Sequence, residues 1–195
     1  ILQVMPSQGF LVARAIQQVS LADIRHEMLF TYTGWVVING QRGFLTATGL
    51  LTPDGLDENI LVDLGVNNLK HYALLSPSSD PKQRALAISA SLDFLRLGPR
   101  QITAPIWAAM FAAPLTEIRP LNAVIAVYGS TQSGKSTISH LALAHYGSGF
   151  INGHDYRAPI DWTSTKTSIE GVMFTVKDGP VIIDDYAPQF ASTME

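Results

Sequence analysis

Hydrophobic positions fall into two regimes along the chain. Leu11, Ala15, Ile16 and Val19 recur at helical spacing after Pro6-Ser7, which predicts a short strand over Ile1 to Met5 and then a helix to about residue 20. From Met28 to about Asp63 the runs become short, β-branched and aromatic. Trp35 to Ile38, Asn39-Gly40 and Gln41 to Thr46 predict a hairpin, because Asn-Gly supplies the positive φ angles of a type I′ turn. Pro53-Asp54-Gly55 predicts a loop over Leu50 to Asn59, and Ile60 to Leu64 reads as a further strand. Ser76 to Pro81 is a turn and a boundary.

Beyond that boundary the helical period returns. Ala85, Ile88, Leu92 and Leu95 form a stripe on a helix capped by Asp80, opened by Pro81 and stopped by Gly98-Pro99. A second helix is expected over Thr103 to Ala113, led by Pro105. The apolar run Leu121 to Tyr128 predicts a strand, and Lys135 to Tyr146 a helix ended by a left-handed Gly147. A strand over Ala158 to Thr163 and a helix over Ser168 to Phe174 follow, with Thr167-Ser-Ile-Glu170 as a capping box. The turn Lys177-Asp178-Gly179-Pro180 then launches a strand from Val181 to Asp184. The division is an α/β core over residues 79–195, behind a helix and β-rich accessory region over residues 1–78.

Composition narrows the class. The 195 residues are 47% hydrophobic and 15% charged, which describes a globular chain with a sizeable core. A net charge of −3 does not announce nucleic acid or an anionic membrane. There is no cysteine, so disulfides and thiolate metal sites are excluded, and a reducing cytoplasmic setting is compatible. No apolar run reaches the roughly 20 residues of a membrane-spanning helix. The chain starts at Ile1 without a signal-peptide pattern, which suggests a fragment.

The sharpest chemical signal is Gly129-Ser130-Thr131-Gln132-Ser133-Gly134-Lys135-Ser136, a complete G-x-x-x-x-G-K-S phosphate loop between a predicted strand and a predicted helix. Its backbone N–H groups, with Thr137 at the start of the helix, would surround the phosphates of ATP. Lys135 would neutralise the β- and γ-phosphates, Ser136 would ligate Mg²⁺, and the helix dipole would favour the same anion. A Gly/Ser-rich turn carrying a lysine by chance is the bland alternative. Val181 to Asp185 reads as a buried parallel strand ending in paired carboxylates. Asp184 would hold Mg²⁺, largely through water, and Asp185 would position or deprotonate the attacking water. Alone, the pair reads equally well as two solvated aspartates in a turn.

The spacing of the two motifs admits a helix, a strand and another helix between them, as in a P-loop NTPase of RecA/AAA-like type. Arg157 is the only arginine after the loop, which disfavours a kinase with acceptor-binding arginines.

Other residues have ordinary explanations. Glu170 caps a helix more readily than it catalyses. Thr163, Ser164 and Thr165 suit turn hydrogen bonds, and Trp35, Trp107 and Trp162 suit a core. Lys166 and Lys177 suit solvated surface, although either could touch DNA phosphates. His140 and His145 lie five apart on one helix and share no face. Gly153-His154-Asp155 is a weak candidate for zinc.

A wider set of residues carries a family resemblance. Thr33-Gly34-Trp35, Ser91 to Leu95, Ile106 to Leu115, Gly129 to Ser136, Trp162 to Thr165 with Ile169-Glu170, and Ile183 to Pro188 occur in an order that resembles the "domain of unknown function 927" ATPases of plasmids, prophages and integrative elements. Such proteins look like relatives of superfamily 3 and AAA-type helicases, often joined to primase modules. The resemblance implies ATP hydrolysis in replication of a mobile element, on single-stranded or forked DNA, by a homo-oligomer such as a hexameric ring. A nucleotide-gated switch or assembly module is the rival, and a P-loop kinase a weaker one. The sequence ends at Glu195, before the sensor strand and arginine finger of a full motor, so the core is expected to be C-terminally incomplete and to bind nucleotide more readily than turn it over.

Overall fold

Asn39 (φ 51°) and Gly40 (φ 80°) adopt the left-handed conformations that a two-residue hairpin turn requires. They join β2 (Gly34–Ile38) to β3 (Gln41–Thr46), with Trp35 opposite Phe44 and Val37 opposite Arg42. In the computed structural model, which describes residues 9–20, 27–65, 68–121, 123–151 and 158–185, this hairpin opens an antiparallel meander of order β2-β3-β4-β5. Where the sequence predicted a loop over Leu50 to Asn59, there is a second hairpin, β4 (Gly49–Thr52) to β5 (Gly55–Asp57). Pro53 and Asp54 form its two-residue turn, and the Thr52 hydroxyl donates to Gly55 O and accepts from Asp54 N. The turn residues therefore connect strands and do not interrupt them. Only Leu61–Val62 (β6) of the strand expected over Ile60 to Leu64 is paired, in parallel with β1 (Leu29–Phe30).

The first helix, α1 (Gly9–Ser20), has no buried residue. The helix capped by Asp80 forms as expected: α2 (Pro81–Asp93) begins with Pro81, and Asp80 Oδ1 accepts from Lys82 N at 2.9 Å. Its apolar stripe, however, does not face a core. Ile88 is 62% exposed and Leu92 47%, and attachment passes instead to Phe94 in the following 3₁₀ turn (Phe94–Arg96), where the ring is buried. α3 (Arg100–Ala112) starts before the expected Thr103, so Pro105 lies inside the helix and does not lead it.

α4 (Lys135–Leu143) runs into a 3₁₀ turn (Ala144–Tyr146) and ends at Gly147, whose φ of 160° is extended, not left-handed. Glycine is needed there for another reason: a Cβ would collide with the His71 carbonyl oxygen. Among the described residues, two further elements follow a two-residue strand, β7 (Ile160–Asp161): α5 (Lys166–Thr175) and β8 (Ile183–Asp184). α5 is capped by Thr165, whose hydroxyl accepts from Ser168 N at 3.2 Å, while Glu170 sits 3.7 Å from the Lys166 ammonium. The expected capping box was therefore two residues too late.

The strand expected over Leu121 to Tyr128 is not assigned to any ladder among the described residues. Val124 is 94% and Tyr128 92% exposed, and among the described residues of the run Val127 packs against the core. A β-rich sequence becomes a strand only where a neighbouring strand takes up its N–H and C=O groups.

The main core gathers Leu64, Leu69 and Tyr72 with Phe94, Met110, Leu143, Phe150 and Val176, so it draws on both sides of the boundary expected near residue 78. Burial pushes the Tyr72 and Tyr146 phenols well above their ordinary range, and each O–H donates to a backbone carbonyl, of Pro180 at 2.8 Å and Met110 at 2.6 Å. No helix among the described residues is long and apolar enough to cross a membrane. The expected strand over Ile1 to Met5, the Gly153-His154-Asp155 candidate, Arg157 and the Tyr186 to Pro188 portion of the family resemblance lie outside those residues.

Candidate phosphate-binding site

Two left-handed residues, Gln132 (φ 63°) and Gly134 (φ 81°), turn the loop from residue 129 so that α4 starts at Lys135. Gly134 occupies the cap position and has no side chain with which to bind the first-turn amides. Those N–H groups have no intrahelical acceptors, and with the helix dipole they favour an anion in front of the loop. The loop residues Gly129 to Gly134 are exposed, as are Ser136 and Thr137. Lys135 bends back over the loop, its Nζ donating to Gly129 O at 3.1 Å and Ser130 O at 2.8 Å.

Ser136 Oγ donates to Asp184 Oδ1 at 3.3 Å, joining residues 48 positions apart. Short as it is, β8 delivers Asp184 to the loop from its C-terminal end. A hydroxyl and a carboxylate oxygen at hydrogen-bond distance are hard donors suited to a small cation such as Mg²⁺, so the residues present fit that ion. Asp185 is exposed at φ 54°, and what ties it to the pair is its backbone N–H, which donates to Asp184 Oδ1 at 2.9 Å.

The sequence did not single out Asp161. β7 and β8 are parallel, with Ile160 opposite Ile183 and Asp161 opposite Asp184. Two carboxylates thus stand on adjacent strands, about 4.8 Å apart at the backbone. Asp161 Oδ1 accepts from Thr163 Oγ1 at 2.5 Å, Thr163 N at 2.9 Å and Ser164 Oγ at 3.2 Å. These bonds, the Thr163 hydroxyl foremost, hold its carboxyl below the usual carboxylate range against a smaller opposing effect of burial. The Asp-x-Thr-Ser run is a local signature for such a turn. Its alignment with Asp184 depends on strand register.

The remaining candidates lie around this site. His140 is fully buried and donates from Nδ1 to Ser136 O at 2.6 Å, while His145 joins a separate knot. There Nδ1 of His145 donates to Ala142 O at 2.8 Å, so Nε2 accepts from the Ser91 hydroxyl at 2.9 Å, and Trp107 Nε1 donates to Ser91 Oγ at 3.0 Å. This knot docks the otherwise exposed α2. Trp35 is also structural, donating from Nε1 to Pro114 O at 2.7 Å. Trp162, expected in a core, is 42% exposed at the end of β7. The Lys166 and Lys177 side chains are 88% and 52% exposed.

Residues 100–189 match the family described as Domain of unknown function (DUF927). The match runs from the start of α3 past β8 and takes in the loop, Ser136, Asp161 and Asp184, which supports the family resemblance over that segment. No curated protein and no solved structure matches the chain.

Proposed function

We propose that the chain is the nucleotide-binding core of a P-loop ATPase of RecA/AAA-like type, binding ATP with Mg²⁺ and serving a helicase-like motor on DNA. The observation that carries this reading is the contact between Ser136 Oγ and Asp184 Oδ1 at 3.3 Å, beside a helix start whose amides face an open, glycine-bounded loop. Loop amides and Lys135 would hold the phosphates. Lys135 Nζ would exchange its two carbonyl acceptors for phosphate oxygens, a stronger charge-assisted interaction. Ser136 and Asp184 would hold Mg²⁺, which supplies charge neutralisation across the β- and γ-phosphates. Asp185 would orient the attacking water.

Binding to isolated protein tests the reading directly. A hydrogen bond to a charged group contributes about 1.5–3 kcal/mol, so Lys135→Ala should weaken ATP–Mg²⁺ binding by roughly ten- to a hundredfold in calorimetry. Unchanged affinity would remove the proposal. Asp184→Asn should leave metal-free ATP binding intact and abolish its strengthening by Mg²⁺. The DNA and oligomer parts of the proposal come from the family resemblance. Stimulation of ATP hydrolysis by single-stranded DNA favours the motor; a rate indifferent to DNA favours a nucleotide-gated switch.

A further inference from the structure

Among the described residues outside the loop and the carboxylates around it, one acidic side chain is largely buried and has no part in the proposed chemistry. The Asp178 side chain is 9% exposed, in the turn that precedes β8. Its Oδ2 accepts from Trp35 N in the meander at 3.1 Å, and its Oδ1 lies 3.1 Å from Thr116 Oγ1, just after α3, whose single proton it shares with Ala113 O at 2.9 Å. The same turn is pinned on both sides of Asp178. Thr33 Oγ1 donates to Lys177 O at 3.2 Å, and Tyr72 Oη donates to Pro180 O at 2.8 Å. Asp178 itself sits at φ 57°, a conformation that persists in a non-glycine residue where its surroundings determine it.

Downstream, Val181, Ile182 and Ile183 pack against the core, but the hydrogen-bonded support is thin. β8 and β7 are two residues each, joined by two register pairs and by Trp162 N donating to Asp184 O at 2.9 Å. An isolated two-stranded ladder is marginal in water even when longer. Apolar packing holds the strand against the core, whereas the register of Asp184 depends on how the chain is anchored before it enters β8, and Asp178 is the side chain that ties that anchor to two other segments.

We propose that Asp178 is a positioning residue for Asp184. By fixing the turn to β2 and to the segment after α3, it sets where the metal carboxylate stands relative to Ser136, and it makes that placement depend on the β meander. The inference rests on Ser136 and Asp184 forming the metal site, but its physical core, the anchoring of β8, can be measured without nucleotide.

The experiment compares Thr116→Val, Thr116→Ser and Asp178→Asn in the full chain, with Lys135→Ala as control. Amide hydrogen exchange over residues 181–184 and the kcat and KM for ATP are the readouts. Displacing a catalytic group by a fraction of an ångström is expected to lower kcat roughly tenfold. Thr116→Val should do so with KM within about twofold of wild type and with faster exchange in β8, while Thr116→Ser, which keeps the hydroxyl, restores both. Asp178→Asn should act in the same direction and more strongly. Exchange in β8 that is unchanged in Thr116→Val, or altered equally by valine and serine, overturns the proposal even if the protein hydrolyses no ATP. Lost nucleotide binding in Lys135→Ala alongside that result would leave the nucleotide site standing and remove only the role of Asp178.

Discussion

The junction between the β meander and the turn before β8 contrasts with the limb that carries the phosphate loop. At the junction, Thr33 N donates to Thr175 O, Thr33 bridges Val176, and Asp178 accepts from two separate segments. In the loop, Lys135 turns onto the loop's own carbonyls, Gly129 to Gly134 are exposed, and the preceding apolar run is largely exposed as well. One region satisfies its polar groups within the protein, so its residues should register in stability. The other presents amides, an ammonium and a hydroxyl to solvent, so its residues should register in ligand affinity.

Glycine substitutions give the largest separation between the two. Gly34 lies at φ 114°, and a Cβ there would meet Lys177 O at 2.6 Å and Asp178 Oδ2 at 2.7 Å. Backbone strain of about 1–2 kcal/mol and overpacking of about 1–3 kcal/mol make Gly34→Ala destabilising by roughly 3 kcal/mol in urea unfolding. A Cβ on Gly129 would meet only Ser133 Oγ at 3.4 Å and Lys135 Cδ at 3.9 Å, both on flexible side chains. Gly129→Ala should stay within about 0.5 kcal/mol of wild-type stability, yet weaken ATP binding because the methyl group obstructs phosphate approach. Equal stability losses in the two variants would erase the contrast.

Elements that depend on local chemistry were readable from the sequence. Asn39-Gly40 has few ways to turn other than the one observed, and Asp80-Pro81 announces a helix start by hydrogen bonding and fixed φ. The helix start after the run Gly129 to Gly134 belongs to this class too, since Gly134 and Lys135 set it within a few consecutive residues. Properties set at a distance were not readable. The stripe of α2 has helical spacing, but nothing in it reveals that Ser91 and Phe94 make the attachment. Leu121 to Tyr128 has strand composition, whereas pairing depends on a neighbour. Asp161 reaches Asp184 through parallel register, and Asp178 reaches Trp35 and Thr116 across 143 and 62 positions. Close backbone approach was hidden as well, so Gly147 read as a left-handed cap and proved to be an extended residue under the His71 carbonyl.

An intermediate effect is expected at α5, which runs from the carboxylate edge to the junction. Thr165 rather than Thr167 caps it, so Thr165→Ala should cost about 1 kcal/mol. Thr167→Ala should be nearly neutral, because that residue lies inside the helix. A larger loss at Thr167 in chemical denaturation would restore the capping box inferred from sequence and shift the helix start by two residues.

The smallest effect concerns pH, at the seam where residues 69–73 meet the chain after α4. His71 packs edge-on to Phe150, with ring centroids 5.6 Å apart, and a Cβ on Gly149 would strike its imidazole. Burial, and secondarily the Lys70 ammonium, lower its pKa from the ordinary 6.5. Below that ordinary value the unfolded chain takes up a proton more readily than the native state does. The contribution is therefore complete above about pH 6.5 and is lost as pH falls through the lowered native value. Unfolding free energy measured from pH 7.5 to 5 should decline, and His71→Gln, which does not titrate, should flatten part of that slope while leaving the stability difference between Gly34→Ala and Gly129→Ala unchanged. A slope identical in wild type and His71→Gln would assign the acid sensitivity to another group and leave this seam without a titrating member.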